Sequence, residues 1–414
     1  MTENRPVGRG KLLAAGVLVY LCLGLMYSWS KFSAAIRLEL GFDQAQITFA
    51  YTICMGMFTV GIFLDGALSE RMSPRKCALL GTLLCSGGYL ATAWLPAALG
   101  PMICLTYGVP VGLGVGFLYN VWLSSIVAWF RDKRGFATGI LLLGMGLSGV
   151  TTTPLMAEVA QTFGWRRSFA AIGLLLLGVG LATRRCLRPV PEEVARCQRV
   201  EAQDVGTNLD SPRMLRQPCF WSFCVWKLLL VGIGQALLGQ AAVVAADLGG
   251  GERVQLAAVS VFVLCNGLSR ILWGGLCDRL GILPAMIAIA GVGVASQTLL
   301  TAFLGTGLLG GALPAMFLTA VSYGGATTIG ANYIHSVFGG TYYRQNNGVS
   351  ALTCLPANLG ATALAGMVHR ATGSYFLFAA AMIPAALMAL ALGILSGPLL
   401  NRYRRQAAGD VCEG

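Results

Sequence analysis

Apolar residues run through this chain in long stretches, each about the ~20 residues a helix needs to cross the hydrocarbon of a bilayer. Twelve such spans are predicted, at roughly 12–34, 45–65, 76–96, 101–128, 135–159, 168–184, 219–246, 254–277, 282–304, 308–335, 347–370 and 373–397. Polar residues collect between them. The longest polar interval, Arg184 to Gln217, is rich in Arg, Glu, Asp, Gln and Pro and holds no apolar span. It divides the chain into an N-terminal six-helix half (1–184), a cytoplasmic linker (185–217), predicted to be partly helical around Pro191 to Gln203, and a C-terminal six-helix half (218–414). The predicted fold is an all-α membrane protein, with twelve transmembrane helices in two pseudo-symmetric six-helix bundles.

A loop signature supports the symmetry. Gly66-Ala-Leu-Ser-Glu70-Arg71-Met-Ser73-Pro-Arg75-Lys76 follows the second span, and Gly274-Gly-Leu-Cys-Asp278-Arg279-Leu-Gly281 follows the eighth. Both copies read Gly-x-Leu-x-acid-Arg. Two similar six-span halves are the mark of a secondary transporter whose site lies between them. Glu70, Arg71, Arg75, Asp278 and Arg279, with Asp132 and Arg134 after the fourth span, are expected to form charge pairs that gate the cytoplasmic side.

Composition fits a lipid environment: 56% of residues are hydrophobic, 11% are charged, and 55 are glycine. So few charges cannot cover a water-facing surface. The net charge of +12 is not a nucleic-acid footprint, because of the 29 Lys and Arg residues 21 fall on one set of alternating loops and 6 on the other. That bias sets both termini in the cytoplasm, with a bacterial inner membrane as the expected location. Thirteen cysteines without a CxxC pair read as small hydrophobes and give no support to a metal site or a cofactor. The first apolar stretch is read as a retained helix, since it is longer than a signal h-region and lacks a small-residue cleavage site. Glycines 108, 112, 114 and 116 in span four, and 139, 144, 146 and 149 in span five, suit close helix packing. No Walker A sequence is present, so transport would be driven by gradients.

The remaining two cations lie inside spans. Arg270 is mid-span, where a cation costs ~3 kcal/mol or more on insertion scales. It cannot give up its proton, so it needs an anion or carbonyls, and a substrate carboxylate held by two parallel hydrogen bonds is the natural partner. Asn266 falls one turn earlier on the same face. Lys227 lies in span seven beside Trp226 and can either supply a second cation or reach back to the cytoplasmic interface. Lys31, four residues after Tyr27, can face substrate or snorkel to the headgroups. Tyr119 and Asn120 in span four, and Tyr323, Asn332 and Tyr333 in span ten, can line a pore or bond helices together. His335 and His369 read as interfacial. Asp65, Glu158 and Asp247 all fall near span ends, so no acid is expected deep in a span.

The chain resembles the major facilitator superfamily, and within it the oxalate/formate antiporter family and related monocarboxylate porters. The resemblance rests on the two loop copies, Tyr27-Ser-Trp29, Gly112-Leu-Gly-Val-Gly116 with Tyr119, Trp129-Phe-Arg131-Asp132-Lys133-Arg134-Gly135, Asn266-Gly-x-x-Arg270 and Pro218-x-Phe220-Trp221. In oxalate carriers of that family an Arg in span eight and a Lys in span eleven meet the two carboxylates. Arg270 matches the first. Span eleven has no lysine, and the matching stretch reads Ala351-Leu-Thr-Cys-Leu-Pro356. Monocarboxylate carriers have a Lys after the first-span aromatic motif, which Lys31 matches, and a proton-moving Asp four residues before the Arg, where this chain has Asn266.

The expected function is secondary active or facilitative transport of a small carboxylate anion, a monocarboxylate such as formate or lactate or a dicarboxylate such as oxalate, by alternating access, with a proton as the second partner in the alternative, a proton-coupled symporter. Arg270, Asn266, Tyr119, Asn120, Tyr27, Lys31, Tyr323, Tyr333 and Lys227 are the candidate substrate-binding residues. The chain is expected to work as a monomer in the lipid bilayer, with no cofactor, no nucleic acid and no enzymatic activity. A proton-driven exporter of other small molecules would use the same fold but place an acid in its cavity. A receptor or scaffold would need an interaction domain.

Overall fold

The computed structural model describes residues 8–42, 44–188, 190 and 208–412, and the described residues are helical with no strand. The helix predicted around Pro191 to Gln203 falls outside the described residues. The described residues form sixteen α-helices, in order: α1 Arg9–Leu23, α2 Trp29–Leu40, α3 Gln44–Ala67, α4 Pro74–Ala93, α5 Val109–Trp129, α6 Arg134–Leu147, α7 Thr152–Phe163, α8 Trp165–Thr183, α9 Ser211–Leu215, α10 Pro218–Asp247, α11 Glu252–Leu280, α12 Ile282–Thr306, α13 Leu309–Phe338, α14 Tyr343–Leu352, α15 Leu355–Thr372 and α16 Phe376–Cys412. Eleven of the described segments are long and apolar enough to cross a membrane. The predicted span absent from that set is α4, whose 20 residues are diluted by Gly, Ser and Thr but still reach about 30 Å.

The chain forms two compact units, residues 1–203 and 204–414. Within the first, α5 packs on α3 and α4, α4 on α8, and α1 on α5, α6 and α8. Within the second, α13 packs on α11 and α12, α12 on α16, and α10 on α13, α15 and α16. The spans thus pair in the same way in both units, as the loop repeat implies. Glycines permit the closest of these contacts: a side chain at Gly116 would collide with the Phe58 carbonyl of α3, and one at Gly114 with the Cys85 amide of α4. The loop copies differ for a backbone reason. Gly281 stands at φ +86°, which only glycine adopts readily, whereas its counterpart Ser73 has φ −63° and an ordinary side chain fits.

Three spans expected as continuous helices are broken. Span one changes to a tight 3₁₀ stretch at Gly24–Ser28 between α1 and α2. Span five breaks between α6 and α7, and span eleven between α14 and α15. The last two share a cause: Pro154 and Pro356 lack an N–H, and their rings crowd the carbonyls four residues earlier, at Val150 and Leu352.

Candidate functional site

In the first unit, two of the breaks meet. Gly24 lies against Met145 and Ser148 with no room for a side chain. The Ser28 and Thr153 hydroxyls are 2.5 Å apart, those of Ser148 and Thr152 2.7 Å apart, and Thr152 Oγ1 donates to the Leu21 carbonyl at 3.4 Å. Half-helix ends of this kind are where transporters of this architecture hold polar substrates. The aromatic motif sits on this join. Tyr27 is 45% exposed, while Trp29 is buried and stacked on Tyr107 at 4.3 Å. Trp29 Nε1 is a buried donor with no hydrogen-bond partner. Lys31 is exposed one turn beyond Tyr27. On α5, the Tyr119 carbonyl accepts from Tyr20 Oη at 2.7 Å and its ring meets Phe58 edge-on at 5.4 Å. Asn120 is fully buried and donates to the Ile62 carbonyl at 3.2 Å, which joins spans two and four.

In the second unit, Arg270 is half-buried in the interior of α11, and Asn266 one turn before it is buried. The Asn266 side-chain Nδ2 has no hydrogen-bond partner, an omission worth about 1–3 kcal/mol in a buried donor. Span ten closes on this point backbone to backbone, since a side chain at Gly324 would collide with the Asn266 carbonyl and the Ser269 hydroxyl. The next residue back, Tyr323, donates its hydroxyl to Gln235 Oε1 of α10 at 2.6 Å. Tyr333 lies apart from this group. It is fully buried, stacked on Phe223 at 4.0 Å, and donates to the Cys219 carbonyl at 3.1 Å, so it joins spans seven and ten. Asn332 and His335 are buried beside it in sequence. Lys227 turns toward span eleven rather than the interface, its Nζ 3.2 Å from Ser350 Oγ.

Ser350 belongs to a second internal repeat that the loop signature did not reveal. Gly146-x-Ser148-x-x-Thr151-x-x-Pro154 and Gly348-x-Ser350-x-x-Thr353-x-x-Pro356 match at every named position, 202 residues apart. Each copy spans a break. In each the threonine hydroxyl donates back into its own helix, Thr151 to Leu147 and Thr353 to Ser350, both at 2.8 Å. Self-comparison of the two halves would have located both breaks.

The loop charges are placed as follows. Glu70, Arg71, Arg75, Asp278 and Arg279 are exposed, and Arg134 is buried. Asp132 pairs with Arg9 of α1 at 3.1 Å. Arg75 donates to the Leu187 carbonyl at 2.8 Å, holding the start of the linker. At the other end of the first unit, Glu39 accepts from Trp165 Nε1 at 2.5 Å and Arg166 Nε at 2.6 Å, while Arg166 also donates to the Ala93 and Leu95 carbonyls. Burial raises the Glu39 carboxyl's pKa, but the bonds from Arg166 and Trp165 outweigh it and hold the group below its ordinary value. In the second unit His369 Nε2 lies 2.7 Å from Asp247 Oδ2, and the imidazole stacks on Tyr375 at 4.4 Å.

Broken spans, internal repeats and cations held inside spans are the features of a membrane transporter. Residues 12–360 match the Major Facilitator Superfamily, and the chain belongs to that family of transporters. It is 30% identical over 397 residues to an uncharacterised 38 kDa protein in the 23S RNA operon of Thermoproteus tenax, covering 92% of this chain and 95% of that one. It is 26% identical over 345 residues to the oxalate:formate antiporter of Oxalobacter formigenes, covering 81% and 79%. The fold is shared with a crystal structure of a double-tryptophan mutant of XylE, at TM-score 0.72 and 15% identity over 96% of this chain and 98% of that one.

Proposed function

We propose that this chain carries small carboxylate anions across the membrane by alternating access, as an exchanger or facilitator, with Arg270 as the principal anion-binding group. The observation that carries the reading is the buried Asn266 amide, a donor lacking an acceptor one turn from a cation that cannot be titrated. A carboxylate answers both requirements at once. One oxygen pair takes the guanidinium fork and a lone pair takes the amide N–H. Arg270 and Asn266 are the groups the second unit offers to the anion, and Tyr119, Tyr27 and Lys31 are the candidates in the first. The likeness to an oxalate:formate antiporter over most of both chains supports the same substrate class. Asn266 has no acidic proton to move, which favours exchange over proton symport. The positive-inside bias supports cytoplasmic termini, and a monomer suffices for this cycle.

Binding has a mechanical consequence. A bound carboxylate offsets the charge of Arg270, so closing apolar walls around the occupied site costs less than closing them around the guanidinium alone with its protein neighbours. The test is exchange in liposomes preloaded with unlabelled formate, acetate, lactate, pyruvate or oxalate and supplied outside with labelled acid. Uptake should require an internal anion and be lost in Arg270→Ala. Uptake of no acid, or an unaffected variant, would overturn the reading.

A further inference from the structure

The end of the second unit remote from Pro218 is closed by a polar cluster that the anion site does not use. Gln240 and Asp247 stand two turns apart on one face of α10, since seven residues bring a helix back to nearly the same side. Groups from α15 and from the approach to α16 meet that face. Gly366 comes so near that an added β-carbon would lie 3.1 Å from Gln240 Nε2. Tyr375 donates its hydroxyl to Gln240 Oε1 at 2.6 Å, and its ring stacks on the imidazole of His369. His369 Nε2 lies 2.7 Å from Asp247 Oδ2, a length suited to a bond between charged groups. The two side chains keep 23% and 30% of their surface exposed, so protons from solvent reach them.

The pair joins a fixed helix to a hinged one. The turn from α10 into α11 is tight: the Gly249 and Gly250 amides donate to the Ala246 and Ala245 carbonyls at 2.9 Å, with Gly249 at φ +77°. The end of α10 is thereby a firm post. α15, in contrast, is the half of span eleven that follows the break at Thr353–Cys354, where Pro356 interrupts the backbone ladder. It packs chiefly on α10 and lightly on α16, and leaves Leu359, Leu364 and Met367 exposed. A rod hinged at one end and tied at the other is a moving part, and broken spans are where carriers of this architecture gate.

Imidazole is the side chain whose charge ordinarily changes between about pH 5 and 8. The ionisable groups at this end are Asp247 on α10, Tyr375 on the approach to α16, Arg370 beside His369 on α15, and Glu252 and Arg253 at the start of α11. Asp247 and Tyr375 touch the imidazole, and the other three are exposed. Protonation therefore turns a hydrogen bond into an ion pair with Asp247. The first unit offers a contrast, because its carboxylate Glu39 is tied to Arg166, whose charge does not change with pH. One tie is permanent and the other is switchable.

We infer that His369 and Asp247 form a proton-operated latch: protonation of the imidazole fastens α15 to α10 and slows the transport cycle. With the termini in the cytoplasm the latch faces outward, so external acid throttles the carrier. The latch acts on the carboxylate cycle proposed above and rests on that reading for its effect on rate.

The experiment is exchange by the full chain in oriented liposomes, with labelled oxalate or lactate outside and the same unlabelled acid inside. Both acids stay ionised while the pH is lowered from about 8 to about 5.5 on one face at a time. Acid on the face remote from the linker should slow wild type about threefold, the scale of a partly exposed ion pair. Acid on the other face should not. His369→Gln and Asp247→Asn should keep the faster rate at every pH, His369→Arg should keep the slower one, and Arg370→Gln should follow wild type. Should His369→Gln fail to fold, Asp247→Asn serves alone. A wild-type profile that persists in the folded variant, or slowing from the linker face only, overturns the latch. If wild type exchanges neither acid at any pH, the carboxylate reading fails and amide hydrogen exchange decides the latch. Leu355–Thr372 should then be better protected in wild type than in His369→Gln at about pH 6 and nearly equally at about pH 8. Equal protection at both values overturns it.

Discussion

Gly24 in span one lies so close to Ser148 in span five that any side chain at 24 would collide with the serine Cβ and with the Met145 carbonyl. The two spans are broken at the same level, and this contact is the point where the breaks are fastened together.

Replacing Gly24 by Ala should therefore destabilise the first unit, by about 1–3 kcal/mol as for other over-packed contacts. Melting of the purified protein is expected to shift down by several degrees. Ser148→Gly in the same background should recover part of the loss and not all of it, because the Met145 carbonyl stays in place. Full recovery would place the crowding on the serine alone.

Asn266→Asp puts a carboxylate one turn from Arg270, within reach of an internal ion pair. That pair would compete with substrate for the guanidinium, so anion exchange at neutral pH should fall about tenfold or more, as expected for 1.4 kcal/mol of competition. A new carboxylate also supplies a group that can take up a proton. Uptake driven by an inward pH gradient should appear in this variant, read with labelled lactate in liposomes holding no internal anion.

The Glu39 bonds to Arg166 and Trp165 predict a pH dependence with a definite sign. The carboxyl is held below its ordinary value of 4.5 in the folded chain. Its stabilising contribution is thus fully present above that value and is lost as pH falls through the lower, folded value. The side chain is 46% exposed, so solvent screening keeps the effect under about 1 kcal/mol. Wild type should melt slightly above Glu39→Gln at pH 7, and the two curves should converge as the pH is taken below 4.5.

Asp247 and His369 join the end of α10 to the end of α15 at 2.7 Å. Ala replacements at either position should lower the melting temperature by similar amounts, and the double replacement should lower it no further than the larger single effect. Additive losses would show that each residue acts through other neighbours, Tyr375 among them.

Much of the fold was legible because lipid imposes a coarse rule. Span lengths, the polar linker and the repeated Gly-x-Leu-x-acid-Arg loop were enough to anticipate twelve helices in two sets of six. Hydropathy averages over ~20 residues and is blind to a few residues of irregular backbone. The breaks at Gly24–Ser28, Ser148–Thr151 and Thr353–Cys354 were invisible to it, although Pro154 and Pro356 were in plain sight. The candidate residues divided in a similar way. Arg270 with Asn266 stood out because both are anomalous in an apolar helix. Tyr333 and Asn120 carried the same polarity but turn out to bond backbone carbonyls of neighbouring helices. A polar group facing a substrate and one joining two helices have the same composition and differ only in what lies opposite. For Lys227 the deciding neighbour, Ser350, lies more than 100 residues away in sequence.

The diluted apolar character of α4 has a consequence for how the protein is made. Ten of its twenty residues are buried against other helices, among them Thr82, Ser86 and Tyr89, and its first turn carries Arg75 and Lys76. Such a segment gains little by partitioning into lipid on its own. Its stable residence depends on α5 and α8 being present to receive its polar face, and both are synthesised after it. Assembly of the first unit should thus follow an order, with the third span gaining its settled position only once the sixth has emerged.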